Sequence, residues 1–365
     1  MYINKFYDGK RVFVTGHTGF KGSWLCYLLK QLGAEVSGFS LEPPTEPALY
    51  NIARIGNEIK SYIGDVSDYK ELEAAFTQSN PEIVFHLAAQ PIVRESYRDP
   101  VNTYKTNVMG TVHILECVRN SNEVRSLLNV TTDKVYKNRE WYWGYREDEE
   151  LDGFDPYSNS KSCSELVTKS YKRALFNANT AISTARAGNV IGGGDFASDR
   201  IIPDCVRAAM NRERIIVRNP YSIRPYQHVL EPIYAYLLIA AQQYEHPELA
   251  GSYNVGPNDE DCIQTGDLVD LFVNAWGDDL VWINKYDGGP HEASFLKLDC
   301  SKMKNTFSWK PRWDIATAVT ETVEWYKCMA NNGDTRSIMD KQIKKYLYEE
   351  AKTSGKYGEL IRTIA

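Results

Sequence analysis

A tyrosine and a lysine four residues apart carry the clearest chemical signal in this sequence of 365 residues. Tyr157 and Lys161 begin a stretch with helical periodicity, so their side chains share one helix face. A neighbouring ammonium favours the phenolate and lowers the pKa of a tyrosine from about 10 toward neutrality. We therefore expect Tyr157 to take a proton from an alcohol while hydride leaves the same carbon for a nicotinamide, whose ribose Lys161 holds.

A glycine-rich loop precedes this pair and lies between a predicted strand and a predicted helix. Gly16 can form a tight turn, Gly19 lets the backbone approach a pyrophosphate, and Gly22 lets the helix pack close to the sheet. The helix N-terminus then offers free N–H groups to the phosphates. Because glycines often serve only as turns, the placement matters more than the motif. We expect Gly16, Thr18, Gly19, Phe20 and Gly22 to contact a dinucleotide.

The end of the second predicted strand indicates which dinucleotide is used. An acidic residue that binds the adenosine ribose is expected there, and the sequence has Ser40 instead, with Glu42 two residues beyond it. Neither an arginine nor a lysine lies nearby to bind a 2′-phosphate. The sequence therefore favours NAD over NADP, with Ser40 at the ribose.

Two further segments are expected to contact the cofactor. Asp65, beside Val66 after the third predicted strand, can accept a hydrogen bond from the adenine amino group, or it can cap a helix. The run Leu87, Ala88 and Ala89 follows the fourth predicted strand. These residues suit a place where a cofactor crosses the edge of a sheet.

The composition excludes several classes of protein. The chain has 42 basic and 48 acidic residues, a net charge of −6, so no polycationic surface indicates nucleic-acid binding. No apolar run approaches the roughly 20 residues needed to cross a membrane, and the N-terminus lacks the apolar core of a signal peptide. The seven cysteines and six histidines are dispersed. This pattern favours reduced thiols in the cytoplasm over disulfides or a metal site.

The elements that position these residues alternate between strand and helix. Strands are predicted at 10–15, 34–40, near 62–63, at 82–87, 126–132 and 181–186, and the clearest helices at 102–120 and 158–175. Apolar strands alternating with helices predict an α/β fold, a doubly wound parallel (Rossmann) sheet. We expect an NAD-binding domain at 1–189 with later returning segments, a smaller, partly interleaved nucleotide-sugar lobe at 190–333, and a helical tail at 334–365.

Taken together, these motifs resemble the extended short-chain dehydrogenases/reductases over about residues 8 to 330. The resemblance rests on the glycine loop, Asp65, Asn107 and the Tyr157–Lys161 helix. It implies that the hydroxyl of Thr132 hydrogen-bonds the sugar oxygen that Tyr157 deprotonates. It also implies that Asn107 supports the backbone beside the cofactor, although a polar residue on a helix is the simpler alternative.

Asp133 and Lys134 narrow the choice within the family. Hexose 4,6-dehydratases usually have Asp-Glu at this place, whereas Asp-Lys resembles the branch that acts on cytidine-diphosphate glucose, as does the run 227–230. After oxidation at C4, one group must remove the C5 proton while another protonates the departing C6 hydroxyl. Asp133, as a protonated acid, and Lys134, as a neutral base, can divide these tasks. Alternatively, Asp133 is a turn residue and Lys134 an exposed charge.

The same resemblance assigns residues to the substrate, a nucleotide-diphosphate hexose. Asn189 resembles the asparagine that contacts its phosphate, and Arg224 resembles the arginine that binds the diphosphate with a bidentate fork. Arg200 and Gln90 are further candidates for substrate contacts. Each arginine could instead form a surface ion pair.

Three functions remain open at this point. The first is an NAD-dependent nucleotide-hexose 4,6-dehydratase of deoxysugar biosynthesis, for example toward lipopolysaccharide O-antigen. The second is a nucleotide-sugar 4-epimerase, which shares Tyr157 but does not need Asp133 or Lys134. The third is a non-catalytic nucleotide-binding protein that retains the fold. The family also implies a homodimer or higher homo-oligomer built on the helix at 102–120 and the Tyr157 helix.

Overall fold

A seven-stranded parallel sheet forms the centre of the computed structural model, which describes residues 3–176, 180–277, 279–286, 288 and 294–353. The strands in chain order are β1 Arg11–Thr15, β2 Glu35–Ser40, β3 Lys60–Ile63, β4 Ile83–His86, β5 Ser126–Val130, β6 Ala181–Ala187, β7 Val190–Ile191, β8 Ile215–Val217, β9 Ile223–Pro225, β10 Gln227–His228, β11 Ser252–Val255, β12 Cys262–Gln264 and β13 Trp282–Asn284. The central sheet has the order β3-β2-β1-β4-β5-β6-β11. The predicted doubly wound parallel sheet is confirmed.

Helices cover both faces of this sheet. They are α1 Ile3–Phe6, α2 Phe20–Gln31, α3 Leu49–Ile52, α4 Tyr69–Ser79, α5 Val93–Arg98, α6 Pro100–Tyr104, α7 Gly110–Arg119, α8 Pro156–Ala174, α9 Ile201–Asn211, α10 Leu230–Glu245, α11 Thr265–Trp276, α12 Ser301–Phe307, α13 Ile315–Ala330 and α14 Thr335–Thr353. Within the described ranges, none of these helices is long and apolar enough to cross a membrane.

Alternation along each strand divides the core into two layers. In β1, Val12 and Val14 belong to one buried cluster and Phe13 to the other, because successive side chains point to opposite faces of a sheet. The first cluster extends into the second half of the chain through α10, whose residues are nearly all buried. Both faces of the sheet are therefore covered, as is usual for parallel sheets.

Local signals in the sequence set the ends of the helices that matter for function. Gly33 has a φ of +81°, and it ends α2 in the left-handed conformation that glycine adopts readily. Asp155 caps α8, where its carboxylate accepts a hydrogen bond of 2.9 Å from the Ser158 backbone N–H. Pro156 occupies the first turn, as predicted, so α8 begins two residues earlier than the predicted helix.

The helix predicted at 102–120 is interrupted. Between α6 and α7 the chain forms a π-helical segment, Lys105–Met109. This segment contains Asn107, which is buried and makes three hydrogen bonds outside its own helix. A π-helical turn adds a residue to the helical repeat, which reorients side chains and often occurs at functional sites.

The second half of the chain extends the central sheet and adds small two-stranded sheets. Strand β11 pairs in parallel with β6 and extends the central sheet, and α10 packs against β5 and β6. The remaining strands form two-stranded pairs, β7 with β10, β8 with β13 and β9 with β12. Helix α14 accounts for the predicted tail as far as residue 353, and residues 354–365 lie outside the described part.

Candidate active site

A cleft of about 290 Å³ opens at the carboxyl ends of β4, β5 and β6. The carboxyl edge of a parallel sheet is where open α/β proteins bind ligands. Its lining includes these predicted site residues: Phe20, Thr132, Asp133, Lys134, Tyr157, Asn189, Arg200 and Arg224. The chain therefore brings together residues that are up to about 200 positions apart in the sequence.

Tyr157 on α8 lines this cleft, whereas Lys161, four residues further along the helix, is buried and is not among the lining residues. Burial raises the pKa of Tyr157 to about 12, while a hydrogen bond with Thr132 acts in the opposite direction. The Lys161 ammonium donates to the carbonyl of Val130 at 3.2 Å. The predicted lowering of the Tyr157 pKa toward neutrality is wrong, because removing the hydroxyl from water outweighs the nearby positive charges.

The pKa of Lys161, rather than that of Tyr157, is lowered. Burial, with a smaller contribution from the charge of Lys21, lowers it to about 7, and the carboxylate of Glu165 acts in the opposite direction. Lys161 therefore exchanges its proton near neutral pH. Lys161, rather than Tyr157, is thus the residue whose charge changes in the physiological pH range.

Asp133 is almost completely buried beside Thr132. Its Oδ1 accepts a hydrogen bond of 3.0 Å from the Thr132 hydroxyl, and its Oδ2 has no hydrogen-bond partner among the described residues. Burial raises the pKa of this carboxyl group, although the charges of Lys134 and Arg224 oppose the shift. Asp133 does lie in a 3₁₀ turn, as the simpler alternative has it, but it is a buried acid with one oxygen that no described donor satisfies, so its catalytic role stays a prediction.

Lys134 and Thr132 complete the segment. The backbone N–H of Lys134 donates to the Thr132 hydroxyl at 3.4 Å, within a 3₁₀ turn at Asp133–Val135. Lys134 is half-buried and lines the cleft. The alternative of an exposed charge at a strand end is therefore also wrong, since Lys134 faces the same space as Asp133 and Tyr157.

The glycine loop connects β1 to α2 and is shaped for a close approach. Gly16 has a φ of +78°, and a Cβ atom there would lie 2.8 Å from the Ala88 backbone nitrogen. A Cβ at Gly22 would collide with the Gly16 carbonyl. Gly19 is the N-cap of α2 and leaves the first N–H groups of the helix without a side-chain cap. This cradle suits the pyrophosphate of a dinucleotide.

Polar groups lie at the ends of β2 and β3, where the sequence predicts that the adenosine half of the cofactor binds. The hydroxyls of Thr18 and Ser40 are 2.9 Å apart, which places Thr18 of the glycine loop beside the end of β2. Asp65 accepts a hydrogen bond of 2.8 Å from the Ser67 backbone N–H, whereas Asp68 is the cap of α4. Asp65 is therefore not a helix cap. Its contact with adenine stays a prediction.

Two sets of contacts shape the next part of the predicted cofactor path. Val66 is buried and packs so closely on α7 that a Cβ at Gly110 would lie 2.8 Å from its Cγ2. Leu87 and Ala88 donate from their backbones to the Thr15 hydroxyl, each at 3.2 Å, and Ala89 follows them. The loop after β4 is thereby fixed against the glycine loop, as the predicted cofactor path requires.

Asn107 supports the loop after β4. Its side chain accepts from the Gln90 N–H at 2.8 Å, donates to the Gln90 carbonyl at 3.1 Å and donates to Ser160 on α8 at 2.9 Å. The simpler alternative, a polar residue on a helix surface, is wrong. Gln90 itself donates to Thr103 and accepts from the Ile92 N–H. Its side chain does not line the cleft, so a substrate contact of Gln90 stays a prediction.

The predicted substrate residues occupy the more open part of the cleft. Arg200 donates to Asp195 at 2.9 Å, an ion pair whose carboxylate is almost fully buried. Arg224 is buried, and its charge reaches Asp133. Asn189 lines the cleft, and its carbonyl accepts from the Gln227 backbone N–H at 3.0 Å. Arg224 is buried and not a surface ion pair, whereas Arg200 lines the cleft and also forms the ion pair with Asp195, so the substrate contacts of both arginines stay predictions.

Sequence reasoning missed three cations that line the same cleft. Lys21 belongs to the glycine loop, and burial with the charge of Arg200 lowers its pKa to about 8. Arg94, at the start of α5, and Arg218, after β8, both approach Asp199, at 3.7 and 2.7 Å. Because Lys21 lies within the glycine-rich motif, the sequence contained a signal that could have identified it. Arg94 and Arg218 belong to no motif.

No cluster of three or more His, Cys, Asp or Glu side chains that could hold a metal ion occurs in the part of the chain that the structure describes. A dinucleotide fits the glycine loop, because Gly19 leaves the first N–H groups of α2 without a side-chain cap, where they can bind phosphate.

Comparisons with known proteins agree with this site. The family model described as GDP-mannose 4,6 dehydratase matches residues 13–322. A CDP-glucose 4,6-dehydratase of Salmonella typhimurium is 48% identical over 354 residues, which cover 95% of this chain and 99% of that protein. A probable dTDP-glucose 4,6-dehydratase of Sinorhizobium fredii is 27% identical and covers 87% and 92% of the two chains.

Solved structures share the fold. A dTDP-glucose 4,6-dehydratase from Bacillus anthracis in complex with NAD has a TM-score of 0.71 at 23% identity, and covers 87% of this chain and 96% of that one. A UDP-glucose 4-epimerase from Thermus thermophilus in complex with NAD has a TM-score of 0.75 at 22% identity, covering 87% and 98%. The chain belongs to the GDP-mannose 4,6 dehydratase family, nucleotide-sugar enzymes of the extended short-chain dehydrogenase/reductase group.

Proposed function

We propose that this protein converts CDP-D-glucose into CDP-4-keto-6-deoxy-D-glucose and water. One observation carries the proposal: Asp133 is a buried acid with a raised pKa, beside Lys134, in the cleft that also contains Tyr157. An oxidoreductase acting only at C4 needs no such acid. The 48% identity with a CDP-glucose 4,6-dehydratase, over 95% of the chain, supports the same reaction and the same nucleotide base.

Tyr157 acts first in this scheme. It takes the proton of the C4 hydroxyl while the C4–H bond breaks. Because burial raises its pKa, the phenolate needs support from its surroundings, and the charge of Arg200 and the hydrogen bond with Thr132 both provide it. Lys161, four residues further along α8, adds positive charge at this end of the cleft when it is protonated.

Asp133 and Lys134 carry out the elimination. The C4 ketone makes the C5 proton acidic, and we assign its removal to Lys134. Asp133 gives its proton to the C6 oxygen, the C6–O bond breaks and water leaves. Lys134 then returns a proton to C5. A protonated carboxylic acid suits the first of these transfers, because the raised pKa of Asp133 keeps the acid form over a wider pH range.

The cofactor is NAD. When bound, it accepts hydride from C4 and returns hydride to C6, so it is not consumed. Gly16, Gly19 and Gly22 would hold its pyrophosphate, Asp65 its adenine and Lys161 its nicotinamide ribose. The absence of an acidic residue at Ser40 leaves the adenosine ribose with the hydroxyls of Ser40 and Thr18 as partners.

The open part of the cleft takes the nucleotide diphosphate. Arg200, Arg224 and Asn189 line it and would contact the phosphates. Arg218 and Arg94 lie further out, with their charges partly balanced by Asp199. These arginines place positive charge along the path of the substrate diphosphate, although the protein has no general basic surface.

A mass-resolved assay tests the proposal. Purified protein is incubated with NAD and, separately, with CDP-, dTDP-, UDP- and GDP-glucose. We expect loss of one water from CDP-glucose and the highest kcat/KM with that substrate. Conversion without loss of water, to an epimer, would contradict the reaction, whereas a preference for another nucleotide would contradict only the proposed base.

Four wider points are part of the same proposal. We divide the chain into an NAD-binding domain at 1–189, a nucleotide-sugar lobe at 190–333 and a tail from 334. We place the reaction in the cytoplasm, as a step of deoxysugar biosynthesis toward surface polysaccharide such as O-antigen. We also propose a homodimer, supported by exposed apolar side chains on neighbouring helices: Tyr97, Val101, Tyr104, Met109 and Leu166.

A further inference from the structure

A buried ion pair lies directly beneath the catalytic segment. Glu165 on α8 and Arg186 on β6 are only 2% exposed each. The guanidinium binds the carboxylate with two hydrogen bonds, Nε to Oε1 at 3.0 Å and Nη2 to Oε2 at 2.9 Å. A two-point contact of this kind fixes orientation as well as distance.

Each member of the pair holds one end of the catalytic segment. At the first end, the Thr131 hydroxyl donates to Oε1 of Glu165 at 2.6 Å. At the other end, Nη1 of Arg186 donates to the Tyr136 hydroxyl at 2.8 Å. Thr132, Asp133 and Lys134, together with Val135, are the residues between these two contacts. The segment is therefore anchored on both sides by one ion pair.

The same carboxylate belongs to the catalytic helix. Tyr157, Lys161 and Glu165 are spaced four residues apart on α8, so they share one helix face. Because Glu165 contacts Thr131, it links the helix that carries Tyr157 to the segment that carries Asp133. Burial acts to raise the pKa of Glu165, but the charge of Arg186 and its hydrogen bonds outweigh burial, so the pKa lies below its usual range and Glu165 is ionised.

Stability alone does not explain this arrangement. Apolar side chains of similar volume often replace a buried ion pair with no loss of stability, because burying two charges is costly. Here the hydrogen bonds of the pair converge on residues that flank the catalytic segment. Tyr136 also donates to Asn254 at 2.6 Å, which ties that end to β11.

We propose that Glu165 and Arg186 are positioning residues that fix the catalytic segment Thr132-Asp133-Lys134 relative to Tyr157. This inference rests on the proposed function for the roles of those residues. In the dehydration, Tyr157 acts at C4 while Asp133 and Lys134 act at C6 and C5 of the same sugar ring. The reaction therefore depends on the distance between the helix and the segment, which the ion pair sets.

Two threonines offer a matched test. Thr131 and Thr184 donate to the two oxygens of the same carboxylate, at 2.6 and 2.8 Å, and both are buried. Thr131 flanks the catalytic segment, whereas Thr184 lies within β6. Valine is close to threonine in size and removes only the hydroxyl. Direct replacement of Glu165 or Arg186 is less useful, because the remaining charge would be buried without its partner and could unfold the chain.

The experiment compares Thr131→Val with Thr184→Val in full-length protein supplied with NAD. For dehydration of CDP-glucose, we expect Thr131→Val to lower kcat by about 10²-fold with little change in KM. Thr184→Val should keep a kcat close to that of the unchanged protein, with a similar loss of thermal stability. Tyr136→Phe, at the other end and outside the cleft lining, should lower kcat as Thr131→Val does.

Hydrogen exchange of the backbone at residues 132–136 provides a readout that does not depend on turnover. Exchange should become faster in Thr131→Val and Tyr136→Phe and stay unchanged in Thr184→Val. Equal exchange in the two valine variants, or equal kcat, would overturn the inference. If the unchanged protein releases no water from CDP-glucose, the proposed function fails, and the exchange data still decide whether the ion pair positions the segment.

Discussion

The Thr132 hydroxyl donates a hydrogen bond of 3.0 Å to Oδ1 of Asp133, and the second oxygen of that carboxyl group has no hydrogen-bond partner among the described residues. The first contact fixes the orientation of the carboxyl group. The second oxygen is therefore available to a substrate atom. Since burial raises the pKa of Asp133, this oxygen is suited to deliver a proton to a leaving hydroxyl.

Asp133→Asn tests this role. The amide can still accept a hydrogen bond from Thr132 but has no acidic proton, so we expect kcat for water loss to fall by about 10²–10⁴-fold. The raised pKa of Asp133 also predicts a pH dependence. The acid form is lost as pH rises through that pKa, so this limb of the kcat profile should be present in the unchanged protein and absent in the variant. Full activity in Asp133→Asn would contradict the assignment.

Lys161→Met separates stability from activity. The pKa of Lys161 is lowered from 10.5 to about 7, so the unfolded chain binds its proton more tightly than the folded chain. At and below pH 7 the folded state carries the full cost of the buried charge, and this cost falls as pH rises toward 10.5. The variant should therefore have a higher Tm, with the largest gain at or below neutral pH, and should lose activity.

Thermal unfolding at pH 6, 7, 8 and 9 measures this effect. Lys169→Met on the same helix is the control, and its Tm should follow that of the unchanged protein. A Tm gain for Lys161→Met that grows with pH would contradict the predicted sign.

Gly16 and Gly19 should respond differently to alanine. Gly16→Ala places a Cβ 2.8 Å from the Ala88 nitrogen at a φ of +78°, so we expect lower stability as well as weaker NAD binding. Gly19 has a φ of −76°, and its Cβ would lie 3.4 Å from the Gly16 carbonyl, an acceptable contact. Gly19→Ala should therefore keep its Tm and bind NAD about tenfold more weakly, because the added methyl group obstructs the approach of the pyrophosphate. Calorimetric titration measures NAD binding by the two variants, and thermal unfolding measures their Tm. Unchanged affinity in Gly19→Ala would contradict the predicted cofactor path.

The apolar face of α6 and α8 should hold two protomers together. Val101 and Leu166 are 77% and 50% exposed, which is unusual for aliphatic side chains on neighbouring helices. A Val101→Glu, Leu166→Glu double variant should sediment as a monomer, whereas the unchanged protein sediments as a dimer. Tyr286→Glu, at an exposed residue after β13, is the control and should remain dimeric. A monomeric unchanged protein at micromolar concentration would contradict the homodimer.

Much of the fold follows from local signals in the sequence. The strand at β1, the glycine loop and the cap of α8 by Asp155 depend on residues close together in the chain, so periodicity and capping rules find them. The predicted grouping of Thr132, Asp133 and Tyr157 in one site followed from the family resemblance. The positions of Asn107 and Arg224 followed from the family resemblance.

Other features depend on contacts that no local pattern contains. The pKa of Tyr157 is set by burial under the second half of the chain, which a nearby lysine in the sequence does not reveal. The π-helical segment contains Asn107, whose side chain bonds the backbone at Gln90, 17 residues earlier. The contact between Thr131 and Glu165 spans 34 residues and belongs to no motif.

The most direct test of the central claim follows hydrogen through the reaction. CDP-glucose carrying deuterium at C4 is incubated with purified protein and NAD in ordinary water, and the product is analysed by mass spectrometry and NMR. We predict a product that has lost one water and carries the deuterium at C6. A product that retains all its oxygen atoms, with deuterium returned to C4 in the inverted configuration, would contradict the account.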